Sequence, residues 1–285
     1  MSATVNKERR RFLSKALINS SSKGTAVITG ASSGIGAIYA DQLASRGYDL
    51  ILVARNRDRL SAVAKRVSED TGRSVEIIVA DLRDRRDLAH IEEVLRTDAR
   101  VTLLVNNAGF GVPTPFLAAD IDKIDQMIAL NVTAVVRLTY AVMPEFVERA
   151  KGAIINISSA LGIAPELLNG VYGGTKAFVL AFGLSLHKEF SGRGIRIQTV
   201  VPGATATEFW DVSRTPLAGL PAGVVMDANE MVEAAIAGFE LGETITIPSL
   251  PDVADWEAYE AARQNLIPKL SLSSPAGRYV AAHQR

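Results

Sequence analysis

The sequence has no cysteine in 285 residues. Disulfides, thiol nucleophiles and thiolate metal sites are therefore excluded. Histidine is scarce: His90, His187 and His283 stand far apart without ligand spacing, so no metal site is expected. Charge of one sign is lacking too, since 31 Lys and Arg offset 31 Asp and Glu to a formal net charge of 0. Binding a phosphate backbone needs a basic surplus on one face, so nucleic acid is not expected as a partner. No uninterrupted apolar run reaches about 18 residues, and no membrane-spanning helix is expected. Arg9-Arg10-Arg11-Phe12-Leu13 has the look of a twin-arginine export signal. Such a signal continues into an apolar stretch of about 7–15 residues, whereas Ser14–Lys23 is rich in Ser and Lys. The expectation is a cytoplasmic protein whose residues 1–22 form a polar N-terminal arm.

What the chain does have is an alternation of short β-branched runs with helical patterns. The strand candidates are Thr25–Thr29, Asp49–Ala54, Ser74–Val79, Val101–Asn106, Ala153–Ser158, Ile195–Val201 and Glu243–Ile247. They are near-continuously apolar, as strands buried on both faces are. Helices are expected at 35–46, 57–70, 85–97, 120–149, 172–191 and 228–240. Ile121, Ile124, Ile128, Val132, Val135 and Leu138 mark the three-and-four spacing of one of them. Strand–helix alternation implies right-handed crossovers and a doubly wound parallel α/β sheet of about seven strands. With no repeat or linker, one domain is expected over 23–247. Residues 248–285 carry Pro248, Pro251, Pro268 and Pro275 and read as a tail, packed on the domain through Trp256, Tyr259, Leu266, Ile267 and Leu270.

In such sheets ligands sit beyond the carboxyl ends of the strands. The first of these ends reads Thr29-Gly30-Ala31-Ser32-Ser33-Gly34-Ile35-Gly36, leading into a helix. Glycines there allow a tight turn and close approach of a pyrophosphate, and the helix N-terminus supplies free N–H groups. A glycine turn also serves loops that bind nothing. Further along, Asp81-Leu82 follows the third strand, Asn106-Asn107-Ala108-Gly109 ends the fourth, and Asn131 lies in the fifth crossover. Ser158-Ser159 ends the fifth strand, Tyr172-x-x-x-Lys176 opens the next helix, and Pro202-Gly203 with Thr207 follows the sixth strand.

In this order the motifs of residues 24–247 resemble the short-chain dehydrogenase/reductase family. The resemblance implies a three-layer Rossmann fold that binds a nicotinamide dinucleotide. The implied cofactor contacts are Gly30, Ser32, Ser33, Gly34, Ile35, Gly36, Asp81, Leu82, Asn107, Ala108, Gly109, Tyr172, Lys176, Pro202, Gly203 and Thr207. It implies an acid at Asp81 against the adenine, and the catalytic set Asn131, Ser159, Tyr172 and Lys176. One departure is Gly173-Gly174-Thr175, where the family usually has Ala-Ser before the Lys; two helical Gly cost about 1 kcal/mol each relative to Ala.

The nucleotide is read from the second strand. Asp49 starts that strand, the wrong end for a ribose acid, and its far end reads Ala54-Arg55-Asn56-Arg57. A guanidinium there grips a 2′-phosphate, so Arg55, helped by Ser32, points to NADP(H), with NAD(H) the second option. Alternatively, Arg55 and Arg57 merely open a solvated helix.

Tyr172 and Lys176, four apart, share a helix face. A phenol titrates near 10. An ammonium at about 4 Å, with an effective dielectric near 20, attracts its phenolate by about 4 kcal/mol. Lys176 is therefore expected to draw the phenol toward neutrality. Ser159 can donate to a substrate carbonyl, and strand alternation turns Ser158 the other way. The resemblance makes Tyr172 the general acid and base and has Asn131 support a water in the proton relay.

Phe110, Val112 and Phe116, then Leu161, Ile163, Leu167 and Leu168, and finally Phe209, Trp210, Val212, Leu217 and Leu220 flank these residues. With a substrate loop at about 208–227, they suggest a lipophilic ketone, aldehyde or 3-oxoacyl substrate, or else core and subunit contacts. The expected function is an NADP-dependent hydride transfer between nicotinamide and a carbonyl or secondary alcohol. The alternative is a non-catalytic NADP(H)-binding redox sensor. By the same resemblance, the helices at 120–149 and 172–191 pair between subunits, giving a homodimer or homotetramer.

Overall fold

The computed structural model describes residues 22–112, 114–167, 170–209, 220–221 and 223–280. The arm up to residue 21, Leu168, and Trp210, Val212 and Leu217 of the expected substrate loop lie outside them. The chain divides into two units, one ending at Pro248 and the other starting at Ser249.

In the first unit β1 (Thr25–Thr29), α1 (Gly34–Ser45), β2 (Asp49–Ala54), α2 (Arg57–Thr71), β3 (Val75–Val79), α3 (Arg85–Thr97) and β4 (Val101–Asn106) follow in turn. Then come α4 (Ile121–Ile128), a π-helical stretch (Ala129–Ala134), α5 (Val135–Glu148), β5 (Gly152–Ile157), α6 (Gly170–Phe190) and β6 (Ile195–Val200). The short strands β7 (Ala204–Thr205) and β8 (Val225–Met226), α7 (Ala228–Leu241) and β9 (Ile245–Thr246) complete it. β3-β2-β1-β4-β5-β6-β9 form a seven-stranded sheet, parallel in every pairing.

The period-2 alternation of the buried strands divides the core into two layers. Ala26, Ile28, Leu50, Leu52 and Val105 face one side with Tyr39, Leu60 and Phe239. Val27, Ile51, Val53 and Leu104 face the other with Ile91, Leu138, Phe146 and Leu186. Chain order reverses beside β1, whose neighbours are β2 and β4. A crevice opens at the carboxyl ends of strands at such a reversal, so the fold sets the glycine loop, the end of β2 and the Asn-Asn-Ala-Gly turn around one space.

Three elements differ from expectation. The helix expected at 120–149 is broken by the π-helical stretch, which contains Asn131; such bulges favour functional sites. As a whole, Ile121–Glu148 is long and apolar enough to cross a membrane, although no uninterrupted run suggested it; half of its apolar window is buried inside the fold. β9 keeps only two of the five residues read as strand. The supposed tail contains a helix, α8 (Val253–Gln264), capped by Asp252 accepting from Ala254 N–H at 2.9 Å. In that second unit, the Trp256 and Tyr259 rings lie 5.3 Å apart.

Candidate active site

A cavity of about 680 Å³ runs along the carboxyl ends of the strands, from Arg55 and Asp81 at one end to Ser159, Tyr172 and Lys176 at the other. Its floor is the glycine loop. Gly30 (φ +68°) and Gly34 (φ +52°) adopt left-handed backbone, where a side chain is strained. A Cβ on Gly30 would meet Ala108 Cα at 2.9 Å, and one on Gly36 would strike the Gly30 carbonyl. Gly30 and Gly34 thus shape the cavity, whereas Gly36 packs beneath it and does not line it. Asn107 ties the two loops together: its Nδ2 donates to Thr29 O at 2.8 Å, and its N–H and that of Ala108 donate to Thr29 Oγ1, each at 3.0 Å.

The start of α1 is left open. Asn56, Asp84, Asp120 and Asp227 cap α2, α3, α4 and α7 by accepting first-turn amides. Ser33 at the head of α1 makes no such bond, and no acid lies in the first turn. The first N–H groups of a helix lack intrahelical partners, and here Ser33, Gly34 and Ile35 at that start line the cavity. That is a site for an anion such as a pyrophosphate.

At the β2 end, Arg55 lines the cavity as expected and so does Arg59, which sequence reading missed; Arg57 does not. Arg59 pairs with Glu208, a residue 149 positions away that lines the same wall. Asp81 and Leu82 are also on the wall. Asp81 is already engaged, since Arg83 Nε donates to its Oδ1 at 2.9 Å and Nη2 to its Oδ2 at 2.6 Å. That guanidinium holds the Asp81 carboxyl below the usual carboxylate range. Arg83 in turn donates from Nη1 to Gln126 Oε1 at 2.8 Å.

At the other end, the Ser159 hydroxyl lies near enough to the Tyr172 phenol to favour its phenolate and accepts from Leu161 N–H at 3.2 Å. Ser158 points away, as alternation requires, and donates to Lys176 O at 2.7 Å. Lys176 Nζ donates to Ile157 O at 2.9 Å and lies 5.8 Å from the Tyr172 ring centre. The expected lowering of the phenol is absent. Burial raises Tyr172 to about 12, against the opposing Ser159 hydroxyl, and lowers Lys176 to about 8. Desolvation disfavours each charged form, and the ammonium is directed at the Ile157 carbonyl rather than the phenol oxygen.

Asn131 lies in the π-helical stretch. It is buried and does not line the cavity. Its Oδ1 accepts from Phe110 N–H at 3.1 Å, and its Nδ2 donates to Phe110 O at 2.9 Å and Thr175 Oγ1 at 3.1 Å. The side chain positions the loop after β4 against α6, with its Oδ1 and Nδ2 both engaged. A Cβ on Gly109 would lie 3.0 Å from Asn131 Oδ1 and 3.4 Å from Lys176 Nζ, so a side chain there would crowd both.

The unusual glycines separate in role. A Cβ on Gly173 would meet Pro165 Cβ at 2.6 Å and Leu161 O at 2.9 Å, so it allows the loop after Ser159 to pack on α6. Gly174 faces open space. Pro202, Gly203 and Thr207 line the cavity, joined by Thr205, another residue missed in the sequence. Phe209 packs 5.9 Å from the Tyr172 ring. With Phe110, Val112, Met127, Leu161 and Val171 it makes an apolar cluster around the phenol. Phe116 and Leu167, by contrast, are exposed.

The family model for short chain dehydrogenases matches residues 24–217. A very-long-chain 3-oxoacyl-CoA reductase of Anas platyrhynchos is 39% identical over 193 residues, which are 66% of this chain and 62% of that protein. The match thus spans less than two thirds of that relative. A short-chain dehydrogenase from Sphingobium yanoikuyae, solved in complex with NADPH, aligns with a TM-score of 0.87 and 46% identity over 90% of this chain and 99% of its own. The bulky-bulky ketone specific alcohol dehydrogenase from Comamonas testosteroni aligns with a TM-score of 0.84 and 42% identity over 91% and 99%.

Proposed function

The chain belongs to the short-chain dehydrogenase/reductase family, and we propose that it is an NADP-dependent oxidoreductase acting between a carbonyl and a secondary alcohol. One observation carries the reading: a single cavity has an uncapped helix start and Arg55 toward one end and Ser159, Tyr172 and Lys176 together at the other. The residues fit a dinucleotide. Gly30, Ser32, Ser33, Gly34 and Ile35 would hold its pyrophosphate, Arg55 its 2′-phosphate, and Asn107, Ala108, Gly109, Pro202, Gly203 and Thr207 its nicotinamide half. When bound, the nicotinamide supplies the hydride.

The protein moves the proton. At neutral pH Tyr172 is a phenol, raised to about 12, and is set to donate. Ser159 lies beside that hydroxyl and would donate to the same substrate oxygen, stabilising the charge that grows there. Lys176 is cationic below about pH 8, and its charge favours the phenolate left behind. In the alcohol direction the phenolate accepts the proton. The apolar cluster around Tyr172 keeps water from the reacting carbonyl and suits a lipophilic ketone, aldehyde or 3-oxoacyl group. The similarity to a bulky ketone dehydrogenase and a 3-oxoacyl-CoA reductase supports that class.

Two finer points complete the reading: a cytoplasmic location, from the sequence alone, and a homodimer or homotetramer formed through the helices of 121–148 and α6. Tyr140 on α5 is 80% exposed, and Phe178 stacks on Phe182 along α6 at 5.7 Å. Purified protein incubated with NADPH and a panel of carbonyls tests the function. Oxidation of NADPH with bulky ketones is expected, and turnover confined to small charged carbonyls would refute the substrate class.

A further inference from the structure

Arg59 sits in the first turn of α2, with its N–H donating to the Asn56 cap at 3.0 Å. It lines the same end of the cavity as Arg55. The two guanidiniums differ in state. Among the described residues Arg55 makes no ion pair, whereas Arg59 is held by Glu208 from the loop after β7. Glu208 lines the cavity as well, between Thr207 and Phe209. Two carboxylates line this wall: Asp81, which Arg83 holds, and Glu208, which holds Arg59. Neighbouring groups favour negative charge: Arg55, Arg59 and the open start of α1.

We propose that Glu208 competes with the adenosine 2′-phosphate for Arg59, and thereby sets the margin by which the protein prefers NADP(H) to NAD(H). The proposal rests on the cofactor reading above and goes beyond it, assigning Arg59 as a second phosphate ligand and Glu208 as its occupant in the free protein. The chemistry favours exchange. Both side chains of the pair are 53% exposed, and exposed pairs are weak because water screens them. A phosphate carries about −1.5 to −2 charge and three acceptor oxygens, so with Arg55 beside it, it displaces one carboxylate from a guanidinium fork. NAD(H) has a hydroxyl in that place. It gains nothing from freeing Arg59 and does not contest it.

Dissociation constants for NADPH and NADH, measured by calorimetry on the full chain, test this without reference to turnover. Glu208→Gln is expected to tighten NADPH about two- to fivefold and leave NADH within about twofold. Arg59→Ala is expected to weaken NADPH roughly tenfold, and in the double variant the effect of Glu208→Gln disappears. Thermal denaturation of the free variants checks that they are folded. Tight NADPH binding that Glu208→Gln leaves unchanged or weakens overturns this proposal alone, the weakened case marking the pair as a clasp over the bound nucleotide. A folded wild-type protein that binds neither nucleotide overturns the cofactor reading and this proposal together.

Discussion

Lys176 Nζ lies 5.8 Å from the centre of the Tyr172 ring, and its hydrogen bond goes to the carbonyl of Ile157 at 2.9 Å. The pair shares a face of α6, yet burial acts on the two in opposite directions. The phenol rises to about 12 and the ammonium falls to about 8. At neutral pH that leaves a protonated acid beside a cation, the state that carbonyl reduction needs.

A pH dependence follows. With NADPH saturating, the reduction rate stays level between pH 6 and about 7.5. It falls as pH passes about 8, where Lys176 loses its proton, by up to tenfold per further pH unit while Tyr172 remains a phenol. A rate that rises through pH 8 contradicts this assignment.

Lys176 also bears on stability. A base whose folded pKa is depressed costs stability in full below that value, and the cost fades as pH rises toward the unfolded value. The fall from 10.5 to about 8 corresponds to about 3 kcal/mol. Lys176→Met, which also gives up the bond to Ile157, is expected to abolish turnover yet stabilise the fold by about 1–3 kcal/mol at pH 7. The gain should shrink between pH 8 and 10.5. Urea denaturation at two pH values reads it directly.

Gly173 and Gly174 should respond oppositely to alanine. Gly173→Ala forces a methyl group to 2.6 Å from Pro165 Cβ and 2.9 Å from the Leu161 carbonyl, and a loss of about 1–3 kcal/mol is expected. Gly174→Ala meets nothing within 4 Å and should gain up to about 1 kcal/mol from helix propensity. Equal effects in chemical denaturation would contradict the packing described.

Ser158 and Ser159 form a second pair of opposites. Ser159→Ala removes the hydroxyl beside the phenol and is expected to lower kcat about 10²–10³-fold, as loss of one oxyanion donor does. Ser158→Ala removes the 2.7 Å bond to Lys176 O and should cost about 1 kcal/mol of stability, with a far smaller change in kcat. Steady-state kinetics on both variants distinguish the roles.

Much of the fold is legible in the sequence because buried parallel strands are continuous apolar runs; β1, β2 and β4 have the residues that their patterns indicate. The π-helical stretch is not legible, since Ala129–Ala134 contains no glycine or proline to mark it. α8 was obscured by the prolines on either side. Within the candidate site, local motifs identify Tyr172, Ser159 and the glycine loop. Arg59 and Glu208 escape because 149 residues separate them and only the crevice brings them together. The raised phenol of Tyr172 is not legible for a similar reason: spacing reports how near Lys176 comes to Tyr172 but not how thoroughly the fold excludes water from both.

The most direct test compares wild type with Tyr172→Phe, following NADPH oxidation with a bulky ketone and NADPH binding by calorimetry on the same samples. Wild-type turnover is expected to fall at least about 10²-fold in the variant, with the NADPH dissociation constant within a few-fold of wild type. A variant that turns over as fast as wild type, or a wild-type protein that binds NADPH and reduces no carbonyl in the panel, would contradict it.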